Sequence, residues 1–227
     1  MANPNNNKKV SRKELLNEPD EFIHFSKKAL DFIVRRKVPV LSAVVGFFAI
    51  LAAVALIRST IEKSETASFE MLNQAAQKYQ EALSENDEQK AYLAAKEHFE
   101  AVIEKYPGKG GGKLAKLAYA DLRAKAGEID GAIALYQTAI KDFADRPDIR
   151  AMALNGLAYA FEAKKDYKAA ATHFERLTKD PGYPMEDEAL FNAGRMWAAA
   201  GDAQKSAAFF KRLKEEQKDS PYARLTE

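Results

Sequence analysis

The longest uninterrupted apolar segment of the chain is VPVLSAVVGFFAILAAVALI, residues 38–57. The basic run Arg35 to Lys37 precedes it, and Arg58 follows it. Twenty helical residues cover roughly 30 Å, which is the thickness of the hydrocarbon core of a bilayer. Twelve of the twenty are Leu, Ile, Val or Phe, and their insertion free energies outweigh those of the single Pro, Ser and Gly. The pattern predicts one transmembrane helix over residues 38–57.

The distribution of Lys and Arg predicts the orientation of this helix. Nine basic residues precede the span, whereas only Arg58, Lys63 and Lys78 occur in the twenty or so residues after it. Because basic flanks stay in the cytoplasm, we expect a cytoplasmic N-terminus and a C-terminal part on the opposite side of the membrane. A cleaved signal peptide is the competing interpretation, since Ala53 to Ala55 resembles a cleavage site. Its 37-residue leader and 20-residue apolar core would both be too long, which favours an uncleaved helix.

Three segments border the predicted span. Residues 1–20 begin with an Asn- and Lys-rich stretch and are predicted to form a disordered cytoplasmic tail. Residues 21–37 place apolar side chains near helical spacing with basic residues elsewhere, which predicts a basic amphipathic helix. It would either lie on the inner leaflet, attracted by anionic lipid, or extend the membrane helix. Residues 58–65 form a linker or a helix extension.

The remainder of the chain has helical periodicity throughout. Apolar residues recur at three- and four-residue intervals, and no run of alternating β-branched residues indicates a strand. Pro147, Pro184 and Pro221 are separated by 37 residues each, and each closes a pattern of two short helices around a turn. Turns are expected at Gly127, at 164–166 and at 201–202. A repeat of this length predicts a helical solenoid.

The second helix of each repeat carries the clearest pattern, a small residue followed four positions later by an aromatic one. This spacing places both side chains on one helix face, where the small residue admits a neighbouring helix and the ring fills the space beside it. The pairs are Ala95 and Phe99, Ala132 and Tyr136, Ala170 and Phe174, and Ser206 and Phe210.

These features resemble the tetratricopeptide repeat, whose first helix follows W-x2-L-G-x2-Y and whose second follows A-x3-F. In the fourth unit the first-helix positions are occupied by Leu190, Ala193, Gly194 and Trp197, and in the third by Leu154, Leu157, Ala158 and Phe161. The resemblance covers about residues 66–222 as four helix pairs, with a period of about 37 rather than 34, and leaves 223–227 as a tail. It implies an all-α chain: a single N-terminal transmembrane helix followed by an α-solenoid.

The glycine-rich segment PGKGGGKLA, residues 107–115, raises the question of a phosphate-binding loop. That motif requires Gly-x4-Gly-Lys-Ser/Thr after a strand, whereas Pro107 occupies the first glycine position and Leu114 the hydroxyl position. A helical pattern, not a strand, precedes it. The segment is therefore interpreted as a flexible loop between repeats, with a helix beginning near Lys113.

The composition and the residue spacings indicate no nucleic-acid, metal or catalytic site. The net charge is +2, which gives no electrostatic footprint for nucleic acid. The chain has no cysteine, and its three histidines show no metal-ligand spacing. No nucleophile, base and orienting group converge in the pattern. We expect no enzymatic activity, no cofactor and no metal.

The tetratricopeptide resemblance implies a groove lined by the first helices, suited to an extended or helical peptide. The competing interpretation is that these positions are ordinary surface residues. Transferred position by position, the groove would contain Leu117, Asp121, Asn155, Tyr159, Glu162, Phe191 and Arg195.

A short cytoplasmic N-terminus, one uncleaved span and a periplasmic repeat domain together resemble the YfgM-like family, ancillary partners of the SecYEG translocon. The resemblance implies a single-pass protein of a bacterial inner membrane, with its repeat domain in the periplasm, that acts as a passive scaffold and links the Sec translocon to periplasmic chaperones. Two alternatives remain open: an envelope-assembly or cell-wall scaffold, and an accessory subunit of a membrane enzyme or electron-transfer complex.

Overall fold

The computed structural model describes residues 21–83 and 87–226, and every regular element in these ranges is an α-helix. The predicted disordered tail, residues 1–20, lies outside the described residues. The chain divides into two compact units, one ending at Thr60 and the other beginning at Ile61. The all-α class predicted from the periodicity is confirmed.

The first described helices follow each other closely along the chain. Helix α1 spans Glu21–Arg35, and helix α2 spans Lys37–Leu83 with 47 residues. Arg36 lies between them in a turn, because Pro39 has no N–H with which to continue the hydrogen-bond series. Residues 58–65, for which a linker or a helix extension was expected, are helical within α2.

The apolar segment of α2 is exposed in the described part of the first unit, residues 21–60. Val38 is 78% exposed, Phe47 59% and Leu56 70%. An 18-residue window of the helix has a mean hydropathy of 2.8 and none of it is buried. By length and composition, this helix could cross a membrane.

The second unit contains residues 61–83 of α2 and the helices that follow. From α3 onward each helix packs against its successor in the chain, and first helices of neighbouring pairs also meet where α4 contacts α6. The bounds are α3 Glu88–Lys105, α4 Gly110–Lys125, α5 Ile129–Asp142, α6 Pro147–Ala163, α7 Tyr167–Leu177, α8 Glu186–Ala199, α9 Ala203–Glu216 and α10 Pro221–Arg224. Thus α4/α5, α6/α7 and α8/α9 form three successive helical hairpins.

The turns inside the hairpins have a common backbone conformation. Gly127, Lys165 and Gly201 adopt the left-handed region, with φ of 83°, 63° and 84°. This conformation ends α4, α6 and α8 and is easiest for glycine, which has no Cβ. The turn positions read from the sequence are therefore correct. Two of the three repeated prolines have a different place from the one expected: Pro147 and Pro221 begin the next helix rather than close a unit, whereas Pro184 lies in the loop before α8.

The small and aromatic pairs form the cores of the hairpins as predicted. Ala95, Ala132 and Ala170 are 0% exposed, and Phe174 is equally buried. The fourth pair differs, because Phe210 is half-buried while its neighbour Phe209 is buried instead.

The first helix pair belongs to the repeat stack. Ala75 and Tyr79 of α2 share one apolar cluster with Tyr92 and Phe99 of α3 and with Tyr119 of α4. The rings of Phe99 and Tyr119 stack with centroids 5.7 Å apart. The packing of residues 61–83 with α3 therefore continues the arrangement of the later hairpins.

The interpretation of PGKGGGKLA as a flexible loop is wrong. Helix α4 begins at Gly110, so its glycines form the first helical turn. Gly110 N donates to Glu65 Oε1 at 2.7 Å, and Gly111 N donates to Ser68 Oγ at 3.1 Å. A Cβ on Gly111 would lie 2.3 Å from the Ser68 carbonyl group, so glycine permits the close approach of α2 and α4. Side chains of α2 thus bond the amides that a phosphate would need.

The end of the chain also differs from the predicted tail at 223–227. Helix α10 begins at Pro221, and Ala223 is buried in the same apolar cluster as Trp197 and Leu213. This short helix packs against both helices of the α8/α9 hairpin.

A candidate partner-binding groove

The predicted groove residues occupy equivalent positions on successive first helices. Leu117, Asn155 and Phe191 each lie ten residues before the left-handed turn residue of their hairpin. Asp121, Tyr159 and Arg195 each lie six residues before it. Because the spacing to the turn is the same in each first helix, the two sets form two rows along α4, α6 and α8.

A cavity of about 820 Å³ lies beside these rows and contains four of the seven predicted residues, Leu117, Asp121, Asn155 and Tyr159. Its volume is typical of ligand pockets. The other lining residues, from α4 to the loop before α8, are mostly apolar: Ala124, Lys125, Ile129, Tyr136, Asp148, Met152, Gly156, Ala160, Ala163, Gly182, Tyr183, Pro184 and Met185.

Asp121 places a carboxylate at the cavity. Its side chain accepts a hydrogen bond from the hydroxyl of Tyr136, on the second helix of its own hairpin. Surrounding protein raises the pKa of Asp121 by desolvation, while this hydrogen bond and the nearby Lys125 act in the opposite direction. The carboxylate remains open to solvent at the cavity. It can accept a further hydrogen bond from a bound group.

Tyr159 connects the cavity to the next hairpin. Its hydroxyl donates to Glu188 Oε1 at 2.7 Å and accepts from Asn192 Nδ2 at 2.9 Å. Tyr183 donates to the other oxygen of Glu188 at 3.0 Å. Burial and the adjacent Glu188 raise the pKa of Tyr159, so its hydroxyl keeps its proton. The network fixes two tyrosine rings in the cavity wall.

Glu162 and Arg195 lie together but do not line the cavity. Arg195 donates two hydrogen bonds to the carboxylate of Glu162, at 2.6 Å and 3.0 Å. It also donates to Asn192 Oδ1 at 2.9 Å. A bidentate pair of this kind holds both side chains in one geometry. These two residues therefore neutralise each other between α6 and α8.

Phe191, the remaining predicted residue, packs against the C-terminal helix. Its ring lies 5.4 Å from that of Tyr222 and 6.2 Å from that of Phe210. The surface at this position is therefore partly covered by α10.

Four further side chains shape the cavity and were not predicted from the sequence to line the groove: Tyr136, Met152, Tyr183 and Met185. Met152 and Met185 are 63% and 47% exposed, so both side chains present apolar surface at the cavity. Met152 is visible in the sequence as an apolar residue on the polar face of α6. Tyr183 and Met185 lie in a loop before α8, and helical periodicity carries no information about their position.

Among residues 21–83 and 87–226, no three His, Cys, Asp or Glu side chains gather as ligands for a metal ion. The groups at the cavity are instead two carboxylates, one ammonium group, an amide, tyrosine hydroxyls and apolar surfaces. These groups bind by shape and hydrogen bonding.

Comparisons of sequence and structure with known proteins agree with the helical-repeat fold. The sequence profile of the tetratricopeptide repeat matches residues 79–147, 117–184 and 157–221. A tetratricopeptide repeat protein from Parabacteroides merdae ATCC 43184 is similar in structure, with a TM-score of 0.55 and 16% identity over 69% of this chain. The chain covers 57% of that protein. Kinesin light chain-type repeats from Podosopora anserina give a TM-score of 0.54 at 15% identity, over 68% of this chain and 79% of theirs. No curated protein matches the sequence significantly.

Proposed function

The chain belongs to the tetratricopeptide repeat family, and from this premise we propose that it is a membrane-tethered scaffold that binds a partner protein through its repeats. Repeat domains of this family bind proteins or peptides and are generally not enzymes. The observation that carries the proposal is the cavity of about 820 Å³ formed where first helices of successive repeats meet.

The proposed tether is the apolar part of α2. Its large side chains are exposed in the protein, and a bilayer would provide the apolar surroundings that they lack. The excess of basic residues before the span supports a cytoplasmic N-terminus and a periplasmic repeat domain. Confinement to a membrane would raise the effective concentration of weak partners.

We further propose that the partners are the Sec translocon and periplasmic chaperones, as the likeness in arrangement to the YfgM-like family implies. The support is the order of elements: one apolar span followed by a tetratricopeptide repeat domain. In this function the protein holds partners near emerging chains and catalyses no reaction.

Affinity purification of the full chain in mild detergent tests the partner assignment. Met152→Glu would place a charge at the cavity, whereas Leu93→Glu makes the same change on α3 at a residue that is 59% exposed and does not line the cavity. We expect translocon subunits with both variants and loss of chaperones only with Met152→Glu. Recovery of cell-wall enzymes or respiratory subunits instead would refute the translocon assignment.

The absence of cysteine from the sequence allows a clean test of topology. Single cysteines at Lys27 in α1 and Glu215 in α9 are accessible in the protein, since both positions are exposed. In intact bacterial spheroplasts, a membrane-impermeant maleimide should label Glu215→Cys and should label Lys27→Cys only after lysis. Equal labelling of both before lysis would exclude the proposed orientation.

A further inference from the structure

The cavity has the features of a site for apolar side chains. Met152 and Met185 are exposed there, and Leu117 and Ile129 lie in its wall. Methionine is unbranched and polarizable, so two exposed methionines form a surface that adapts to the shape of a bound side chain.

The charges at this place are mainly negative. Asp121 and Asp148 line the cavity against one cation, Lys125, and Glu188 is bonded to two of the cavity tyrosines. Asp148 already has a cation, because Arg146 binds it with two hydrogen bonds. In the described ranges, Asp121 and Glu188 take part in none of the ion pairs within 4.0 Å.

The next hairpin shows how such a charge is balanced elsewhere. On α8, the position equivalent to Asp121 is Arg195, which neutralises Glu162 with a bidentate pair. At the cavity, the carboxylates accept hydrogen bonds from tyrosine hydroxyls instead: Tyr136 donates to Asp121, and two tyrosines donate to Glu188. Glu162 is therefore paired with a cation of the protein itself, Arg195. Asp121 has no such ion pair among the described residues.

From this complementarity we propose that the cavity binds a segment of a partner protein that carries apolar side chains together with a Lys or Arg, whose cationic group pairs with Asp121. The apolar side chains lie between Met152 and Met185. The proposal rests on the proposed function, in which the repeats bind a partner, and it defines the chemistry of that partner: basic and apolar rather than acidic.

Desolvation agrees with this assignment. It raises the pKa of Asp121, although Tyr136 and Lys125 act against the shift. A cation from a partner that pairs with Asp121 would favour its charged form and lower this pKa. Binding should therefore weaken at high ionic strength and as the pH falls far enough to protonate Asp121.

A library of random dodecapeptides displayed on phage tests the chemistry without a known partner. The bait is the full chain in detergent, and selection is run on the wild type, on Asp121→Asn and on Glu215→Gln. Asparagine keeps an acceptor for Tyr136, and Glu215→Gln removes one negative charge from an exposed residue of α9 that is 64% accessible. Circular dichroism verifies that the variants are folded.

On the wild type we expect enrichment of peptides that combine Lys or Arg with Leu, Met or aromatic residues. A synthetic peptide of the most enriched sequence should bind Asp121→Asn roughly three- to tenfold more weakly in fluorescence anisotropy, as expected for loss of one partly exposed charge pair. Its affinity for Glu215→Gln should be unchanged. Enrichment of acidic peptides, no enrichment, or equal weakening by both variants would overturn the proposal.

Self-association is a further outcome that would overturn it. If light scattering shows oligomers of the wild type and monomers of Met185→Glu, a second copy of this chain occupies the cavity. The proposed function can be judged separately. Translocon subunits in the affinity purification support it whether or not basic peptides are enriched, and their absence refutes the translocon assignment even if such peptides bind.

Discussion

The two compact units of the chain use the same apolar residue types in opposite surroundings. In the first, Phe48 is 62% exposed and Val38 is 78% exposed. In the second, Phe174 and Leu154 are both 0% exposed. All four lie on helices, so secondary structure does not account for the difference.

The difference comes from the residues that share each helix. Residues 38–57 have no charged side chain, so every face of that helix is apolar and one neighbouring helix could not cover it. The repeat helices carry charged residues on one side, which leaves one apolar stripe for the next helix to cover. The repeats therefore supply their own apolar surroundings. The apolar segment of α2 requires them from outside the protein, and in the proposed function the bilayer provides them.

The sharpest test of this contrast replaces one buried and one exposed phenylalanine. Phe174→Ala should lower the free energy of unfolding of the repeat domain by about 3–5 kcal/mol, because the lost ring leaves a cavity in the core. Phe48→Ala should leave it unchanged. Urea titration in detergent, followed by the fluorescence of the single tryptophan, Trp197, measures both. Equal effects would contradict the division between the units.

Glycines of the two units make a second comparison. Gly111→Ala would bring a Cβ within 2.3 Å of the Ser68 backbone and should destabilise the domain by about 1–3 kcal/mol. A Cβ at Gly46 or at Gly108 would have no neighbour within 4 Å. Gly46→Ala and Gly108→Ala should therefore preserve stability in the same titration. A stable Gly111→Ala would show that α2 and α4 do not need their close approach.

A smaller effect is expected at the turn of the α6/α7 hairpin. Lys165 has a φ of 63°, where the other two turns have glycine. Lys165→Gly should raise the free energy of unfolding by about 1 kcal/mol, since glycine adopts this conformation without steric cost. Gly201→Ala, which adds a Cβ at the equivalent turn position, should lower the free energy of unfolding. Thermal unfolding of both variants would show whether the turns are interchangeable.

The smallest effect concerns pH. His173 stacks on Phe161 with ring centroids 5.3 Å apart, and its burial, with Arg176 nearby, lowers its pKa below 6.5. The folded state then binds a proton less readily than the unfolded state, so stability should fall as the pH drops below 6.5 and stop falling below the folded pKa. His173→Gln should reduce this slope. An unchanged slope between pH 7.5 and pH 5 would assign it to other groups.

Much of the fold could be predicted from local sequence. The turn residues Gly127 and Gly201 and the pairing of Ala170 with Phe174 were recognised because each depends on neighbours within one helical turn. The glycines of residues 110–112 were misinterpreted because their role lies in a contact with Ser68, 43 positions earlier than Gly111. No local pattern carries that information.

The candidate site divides in the same way. Repeat register placed Leu117, Asp121, Asn155 and Tyr159 on one face, and the structure brings these four to a single cavity. The repeat register could not reveal that Arg195 is bound to Glu162, nor that Phe191 packs on Tyr222. Both depend on contacts between hairpins or with α10.

The sequence by itself determined the helices, their turns, the repeat family and the apolar segment of α2, since periodicity and residue type act over a few neighbouring positions. Only the tertiary structure decided which groove residues remain accessible, which charges are neutralised and where two methionines border a cavity. Those properties depend on distances between side chains 30 or more residues apart in the chain, such as Tyr159 and Asn192, which hydrogen-bond across two hairpins. Such distances are set by how the helices pack.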